Sequence, residues 1–257
     1  MADGEGGVKI MEFIRKINGL EVNALYSEES IQNIFLPLLK RLTGMQKELN
    51  RRIIVMLAAP PAAGKSTLVS FLQYLSEITP EVTPVTAIGM DGFHRYQDYL
   101  LNHTTIRNGE EILMVKVKGA PETFDLEALT QRIQRLISDD VCPWPEYSRT
   151  IHNPVEGAIQ VQGDIVLIEG NYLLLDLPGW KELKQLADYT ISIRAKEADL
   201  RERLINRKQR EGVNPTEAVK FVDSSDLPNA RLCIVHTVET DLILNLEKDG
   251  TYTSGNK

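Results

Sequence analysis

"RIIVMLAAPPAAGKSTLVSFLQYLSE", residues 52–77, is the stretch that decides the fold. It opens with a short continuous apolar run, which is typical of a strand buried on both faces of a parallel sheet. From Leu68 to Leu75 the apolar residues recur at helical spacing. The turn between the two contains a glycine, so the stretch predicts a strand, a tight turn and a helix in that order.

The turn, APPAAGKS at residues 59–66, matches the phosphate-binding pattern G-x-x-x-x-G-K-[ST] except that Ala59 holds the first glycine position. In such a loop successive backbone N–H groups wrap a β-phosphate, the lysine reaches the β- and γ-phosphates, and the hydroxyl holds Mg²⁺. The first glycine mainly permits a tight turn, and alanine is the smallest substitute. A chance Gly-Lys-Ser is the alternative, which the flanking strand and helix disfavour. The predicted ATP-binding residues here are Ala62, Ala63, Gly64, Lys65, Ser66 and Thr67.

Four further apolar runs predict strands, at residues 82–90, 164–170, 189–195 and 241–246. Helical patterns separate them, including one from Leu126 to Leu136 with Asp125 at its N-cap. This alternation predicts an α/β fold in which helices wrap a mostly parallel sheet, with ligands at the carboxyl ends of its strands.

The two ends of the chain differ from this pattern. Asn18 and Gly19 between apolar runs predict a hairpin, and a helix follows behind Ser27, which Pro37 is expected to kink or shorten. We therefore expect an N-terminal hairpin-plus-helix appendage over 1–49, a main domain over 50–248 and a disordered tail over 249–257.

Composition narrows the function. The chain has 257 residues and a net charge of -7, which disfavours nucleic acid and anionic membranes as partners. Two cysteines favour a reducing compartment, and the sequence contains neither a signal peptide nor an apolar run long enough for a membrane span. We expect a soluble, cytoplasmic protein.

Two carboxylates follow predicted strands at the expected ligand edge. Glu169 stands where an acid that binds the metal or its waters belongs, whereas Asp164 lies at the opposite end of that strand. Asp91 ends the second strand and could accept or orient the proton of an attacking hydroxyl; the alternative is a helix cap. Nearby His94 is compatible either with substrate binding or with a satisfied surface position.

Five motifs follow the phosphate loop in a fixed order: MDGFH (90–94), KGAPETFD (118–125), PEYSRTIHNPV (145–155), IVLIEGNYLL (165–174) and DLPNARL (226–232). Over roughly residues 50–246 the chain resembles the P-loop kinases that include uridine kinase, bacterial pantothenate kinase and phosphoribulokinase. It is most similar to the branch called fructose transport system kinase, or nucleoside/nucleotide kinase family protein.

The resemblance implies the three-layer α/β/α sandwich of P-loop NTPases with a helical lid, and ATP- and Mg²⁺-dependent transfer to a hydroxyl of a sugar-like or nucleoside-like metabolite. A pantothenate- or uridine-kinase-like enzyme is the alternative, although Arg149 replaces a histidine of the pantothenate kinases. Matched positions make Asp91 and Lys65 catalytic, and Ser66 and Glu169 metal ligands. The implied substrate-binding residues are Asp91, His94, Lys118, Tyr147, Arg149 and Asn171.

Residues 199–212 contain Arg203, Arg207 and Arg210, which share one face of a predicted helix. Such a stripe is often only a solvated face. In relatives a helical lid with arginines closes over the transferring phosphoryl group and excludes water. On that reading Arg203 and Arg207 bind ATP, and Arg207 is also catalytic.

Two rival functions remain open at this point. One is a regulatory NTPase that reads nucleotide state without a metabolite acceptor, although the NKxD signature of guanine-specific switches is absent. The other is a degenerate loop that binds without turnover, for which Ala59 is the only argument. Relatives often form homodimers, and the sequence leaves the oligomeric state open.

Overall fold

The computed structural model describes residues 10–17, 19–107 and 109–255. Asn18, half of the predicted hairpin turn, lies outside the described residues. Among the described residues no helix combines the length and the apolar character that crossing a bilayer requires. Cys142 and Cys233 are both free and buried, as expected for a chain without a disulfide framework.

The described strands are β1 (Ile10–Ile17), β2 (Leu20–Ser27), β3 (Ile53–Ala58), β4 (Val85–Gly89), β5 (Thr104–Arg107), β6 (Glu110–Leu113), β7 (Cys142–Ser148), β8 (Asn153–Val161), β9 (Ile165–Gly170), β10 (Tyr189–Arg194), β11 (Leu242–Leu246) and β12 (Tyr252–Gly255). The α-helices are α1 (Glu28–Ser30), α2 (Leu36–Leu49), α3 (Lys65–Ile78), α4 (Gln97–Asn102), α5 (Leu126–Ser138), α6 (Glu197–Arg210), α7 (Pro215–Phe221) and α8 (Leu227–His236). Two π segments, Ile31–Phe35 and Val222–Asp226, and short 3₁₀ turns such as Met90–Phe93 complete the secondary structure.

A six-stranded sheet in the order β12-β11-β10-β3-β9-β4 forms the centre, parallel except for β12. Every residue of β3 and β9 is buried, which explains their continuous apolar sequences. Alternate side chains of β3 enter two different cores, one beneath α2, α3 and α6 and the other beneath α5. The predicted α/β sandwich is confirmed, and all five predicted strands are present.

The N-terminal hairpin and helix are present and share a core with the sheet. Ser27 caps the helix by accepting a hydrogen bond from the Ser30 N–H at 3.1 Å. The ring of Tyr26 stacks on Phe71 of α3 at 3.9 Å between centroids. Helical turns continue from 28 to 49, so the expected shortening at Pro37 is wrong, whereas the alternative of a kink stays a prediction. A π segment ends at Phe35, two residues before the proline, and covers the turn whose carbonyl the proline ring would otherwise meet. The domain boundary at residue 49 remains a prediction.

The C-terminal segment corrects the sequence-based expectation of a disordered tail. Residues 252–255 pair antiparallel with β11 as the edge strand β12. Tyr252 is buried, with its ring edge-on to Phe35 at 5.8 Å. A strand this short has only a weak pattern in the sequence. Its order comes from backbone pairing with β11 and from packing against residues distant in the chain, such as Phe35.

The hairpin of β7 and β8 was not predicted, and it packs against the 3₁₀ turn Met90–Phe93. The buried indole of Trp144 donates its N–H to the carbonyl of Gly89 at 2.8 Å. A Cβ at Gly92 would overlap the carbonyl oxygen of Pro145, so only glycine allows this close approach. The hairpin is thereby held directly against the end of β4.

Tyr252→Ala should lower the free energy of unfolding by about 3 kcal/mol, because it removes a buried aromatic side chain. Thr253→Ala, on the exposed face of the same strand, should change stability by less than about 0.5 kcal/mol. Urea unfolding of both variants measures this difference. Equal stabilities would mean that the terminal strand contributes nothing to the fold.

Gly92→Ala should destabilise the protein by roughly 1–3 kcal/mol, because the added methyl group must displace the backbone of the β7–β8 hairpin. Gly44→Ala is the matched control, since its site on α2 has open space and alanine favours helices. The control should raise the melting temperature while Gly92→Ala lowers it. A melting temperature unchanged by Gly92→Ala would contradict the close contact.

Candidate active site

The phosphate loop connects β3 to α3 and has the geometry of an anion-binding turn. Ala62 and Gly64 adopt left-handed backbone angles, with φ of 65° and 78°, and α3 begins at Lys65. The N–H of Ala59 donates to the carbonyl of Gly170 at 3.3 Å, and its methyl group is buried in the core. Ala59 is not among the described residues with positive φ. Alanine is therefore compatible with this turn, which weakens the argument for a degenerate loop.

Ser66 and Glu169 meet below this loop. The hydroxyl of Ser66 donates to Glu169 Oε1 at 2.6 Å. Burial raises the pKa of Glu169; the charge of Lys65 and the Ser66 hydrogen bond oppose the shift, and the charge of Asp91 adds to it. Burial makes the ionised form of this carboxylate unfavourable, and a cation bound beside it would offset that cost.

A hydroxyl and a carboxylate fit the predicted Mg²⁺. No group of three or more His, Cys, Asp or Glu residues suited to a metal occurs among the described residues. Mg²⁺ at nucleotide sites is commonly held by one or two protein groups together with phosphates and waters. The donor set of Ser66 and Glu169 is therefore sufficient for Mg²⁺ delivered with a nucleotide.

Asp91 lies directly after β4 in the 3₁₀ turn Met90–Phe93. The N-cap of this turn is Gly89, so Asp91 lies inside the turn and does not cap it, which argues against the helix-cap alternative. Its charge influences both Glu169 and His94. The carboxylate faces a cavity instead of closing a helix end.

That cavity, which we call the central cavity, has a volume of about 530 Å³ and brings most predicted site residues together. The predicted residues that line it are Lys65, Ser66, Asp91, His94, Lys118, Tyr147, Arg149, Asn171 and Arg207. The predicted residues outside its lining are Ala62, Ala63, Gly64, Thr67, Glu169 and Arg203. Glu169 instead lines a smaller adjoining cavity of about 260 Å³, which also contacts Ser66 and Asp91.

His94 is partly buried and lines this cavity, so it does not occupy the open surface position that was one of the two alternatives. Its ring stacks on Phe124 at 3.9 Å. Burial lowers the pKa of His94, and Lys118 lowers it further while Asp91 opposes the shift. A neutral imidazole is therefore expected at pH 7, and its buried Nδ1 has no hydrogen-bond partner among the described residues. Such an atom is suited to a ligand hydroxyl.

Arg203, Arg207 and Arg210 of α6 have separate environments. Arg207 lines the central cavity and lies 3.7 Å from Asp226 Oδ2. Arg203 is placed near Tyr252, where its charge acts on the phenol, and Arg210 is exposed. The solvated-face alternative thus holds for Arg210, whereas the ATP-binding role of Arg203 stays a prediction.

Acidic residues that the sequence did not single out complete the wall beside α6. Glu211 lies 3.7 Å from Arg149 and 3.5 Å from Lys208. Burial raises the pKa of Asp226, and Arg207 opposes this shift. Arg207 Nε and Asp226 Oδ2 are buried without a hydrogen-bond partner among the described residues. Asp226 is part of the DLPNARL motif, so the sequence offered a reason to place it at the site. No motif includes Glu211.

Comparison with known proteins adds independent information. No profile of a known protein family matches the chain. The uncharacterized protein YggC of Escherichia coli (strain K12) is 39% identical over 237 residues, which are 92% of this chain and 96% of YggC. A provisionally assigned uridine kinase of Schizosaccharomyces pombe is 30% identical over 206 residues, or 76% of this chain and 83% of the relative.

A solved structure agrees with these relatives. A provisionally assigned fructose transport system kinase from Silicibacter sp. TM1040 superposes with a TM-score of 0.68 at 31% identity, covering 79% of this chain and 98% of the other. The likeness extends over nearly the whole solved chain, as the resemblance of the motifs predicted. The protein therefore belongs to the P-loop kinases of the group that contains uridine kinase and pantothenate kinase.

Proposed function

We propose that the chain transfers the γ-phosphoryl group of ATP to a hydroxyl of a small sugar-like or nucleoside-like metabolite. The observation that carries this proposal is that Lys65 of the phosphate loop and the carboxylate of Asp91 line one cavity. A nucleotide switch needs the lysine of the phosphate loop, but it does not need a base such as Asp91 beside the γ-phosphate. Membership of the kinase family supports the same reaction class.

The residues divide the reaction between them. The loop N–H groups and Lys65 would hold the β- and γ-phosphates, and Ser66 and Glu169 would hold Mg²⁺, which neutralises charge on the phosphates when bound. Asp91 would take the proton of the acceptor hydroxyl as its oxygen bonds to the γ-phosphorus. The bond from that phosphorus to the bridging oxygen breaks, and ADP leaves with the electron pair.

Arg207 adds a second positive charge to the lining of the same cavity. Its guanidinium is half-buried and only loosely paired with Asp226, at 3.7 Å, so it is available to a phosphoryl oxygen. An arginine in a site that excludes water stabilises the charge of the transferring group more than it would in solvent.

The proposal is tested by an ADP-release screen over sugars, nucleosides and vitamin precursors, with Lys65→Ala as the inactive control. Acceptor-dependent ADP release supports a kinase. Equal ADP and phosphate release without any acceptor would support the regulatory NTPase instead, and unchanged turnover in Lys65→Ala would exclude the loop as the phosphate site.

Asp91→Asn should lower kcat by roughly a hundredfold or more, because it removes the base and preserves the shape. The dissociation constant for ATP and the melting temperature should change little, since the loop holds the phosphates. Asp164→Asn is the matched control, an exposed carboxylate at the other end of β9. If raised Mg²⁺ restores Asp91→Asn, Asp91 acts on the metal; a kcat within a fewfold of wild type removes it from the mechanism.

Arg207→Ala should lower kcat more than it raises KM for ATP, if its contact with the phosphoryl group forms mainly in the transition state. Arg210→Ala, three residues later on the same helix and exposed, should leave both constants unchanged. Steady-state kinetics with melting temperatures separates a catalytic loss from unfolding. Equal losses in the two variants would return α6 to a general structural role.

A further inference from the structure

Lys118 is a cation held in place by three different parts of the chain. Its ammonium donates to Gln97 Oε1 of α4 at 2.7 Å and to the carbonyl oxygen of His152 at 3.1 Å. It also lies 5.2 Å from the ring centroid of Tyr147 on β7. An ammonium has three N–H donors, and these contacts use two of them. The third has no acceptor among the described residues.

The backbone that receives Lys118 is itself constrained. His152 has a φ of 52°, a left-handed conformation that is unfavourable for a residue with a Cβ. Its carbonyl accepts the hydrogen bond from Lys118 in that conformation. Residue 152 lies in the turn between β7 and β8, where left-handed residues are common, and this turn fixes the position of the carbonyl group.

Lys118 also lacks a counter-charge. Arg207, Arg149 and Lys208, which line the same cavity, each lie within 4 Å of a carboxylate. No carboxylate among the described residues pairs with Lys118, and burial alone lowers the pKa of its ammonium. Lys118 is only partly buried, so the cavity contains a positioned cation that no carboxylate of the described residues neutralises.

The position of Lys118 relates it to the acceptor rather than to ATP. It is in the central cavity with Asp91 and His94, and its charge acts on His94. Lys65 and Arg207 already provide positive charge for the phosphates of ATP. His94 Nδ1, buried without a partner among the described residues, offers an acceptor for a hydroxyl beside this cation.

We propose that the phosphoryl acceptor carries an anionic group, a carboxylate or a phosphate, which pairs with Lys118 while a hydroxyl of the same molecule lies at Asp91. This inference rests on the proposed kinase function and narrows its substrate class to hydroxylated acids or sugar phosphates. A neutral sugar or nucleoside would leave the ammonium uncompensated. A charge-assisted contact to a prepositioned cation is stronger than a neutral hydrogen bond.

Matched pairs of acceptors test the inference. D-glucose is compared with D-gluconate as the carboxylate arm, and D-fructose with D-fructose 6-phosphate as the phosphate arm, by kcat/KM for ADP release. In at least one arm the wild type should prefer the anion by about tenfold or more, in line with a charge-assisted contact. Lys118→Gln should remove that preference. Lys116→Gln, an exposed lysine outside the cavity, should retain it.

Calorimetry provides a readout independent of turnover. The chain is saturated with Mg²⁺ and a non-hydrolysable ATP analogue, so that the phosphate loop is filled, and then titrated with D-gluconate, D-fructose 6-phosphate or inorganic phosphate. Binding by wild type and by Lys116→Gln, weakened in Lys118→Gln, supports the inference. The inference is overturned if none of the three probes binds. It is also overturned if neutral and anionic acceptors are used equally, or if the preference for the anion survives in Lys118→Gln. Failure of the kinase function has a different signature, the absence of acceptor-dependent ADP release, and the titration still decides whether Lys118 binds anions.

Discussion

The parallel pairing of β9 with β3 on one side and β4 on the other is the constraint on which the site depends. In this register Glu169 is opposite Leu57 of β3 and Gly89 of β4. The phosphate loop, Glu169 and Asp91 therefore leave the sheet at the same edge, because parallel strands end together. The hydrogen bond between Ser66 and Glu169 connects the first helical turn of α3 to this edge.

The site contains charges that the protein itself compensates only in part. Glu169 is buried with a raised pKa. Arg207 and Asp226 are partly buried and 3.7 Å apart, and Arg207 Nε and Asp226 Oδ2 have no hydrogen-bond partner among the described residues. Buried charges of this kind are costly unless ligands complete them. Ionic ligands, a nucleotide with Mg²⁺ and an anionic acceptor, would supply the missing partners. The same prepositioned charges are what electrostatic catalysis requires.

Elements inserted between the sheet strands enclose the cavity. The β7–β8 hairpin is anchored at its base by Trp144 and Gly92. Just past β7, Arg149 lies 3.7 Å from Glu211 at the end of α6. The hairpin and the arginine-bearing helix thus meet across the cavity. This contact is partly exposed to solvent and joins two sides of the cavity.

Local sequence patterns determined much of this protein. Continuous apolar runs predicted β3, β4, β9, β10 and β11, because buried parallel strands have few polar positions. The loop motif and the Ser27 and Asp125 caps also follow from adjacent residues. The order of the motifs along the chain indicates the kinase family independently of the sheet.

Motif resemblance predicted most of the residues that line the cavity, whereas other features depended on tertiary structure. The β7–β8 hairpin and the edge strand β12 have short or mixed patterns, and their order comes from distant partners such as Gly89 and β11. Arg203, Arg207 and Arg210 share a helix face in sequence, but packing places only Arg207 in the cavity lining. The missing counter-ion of Lys118 is likewise invisible in the sequence, because charge compensation depends on distances between residues far apart in the chain.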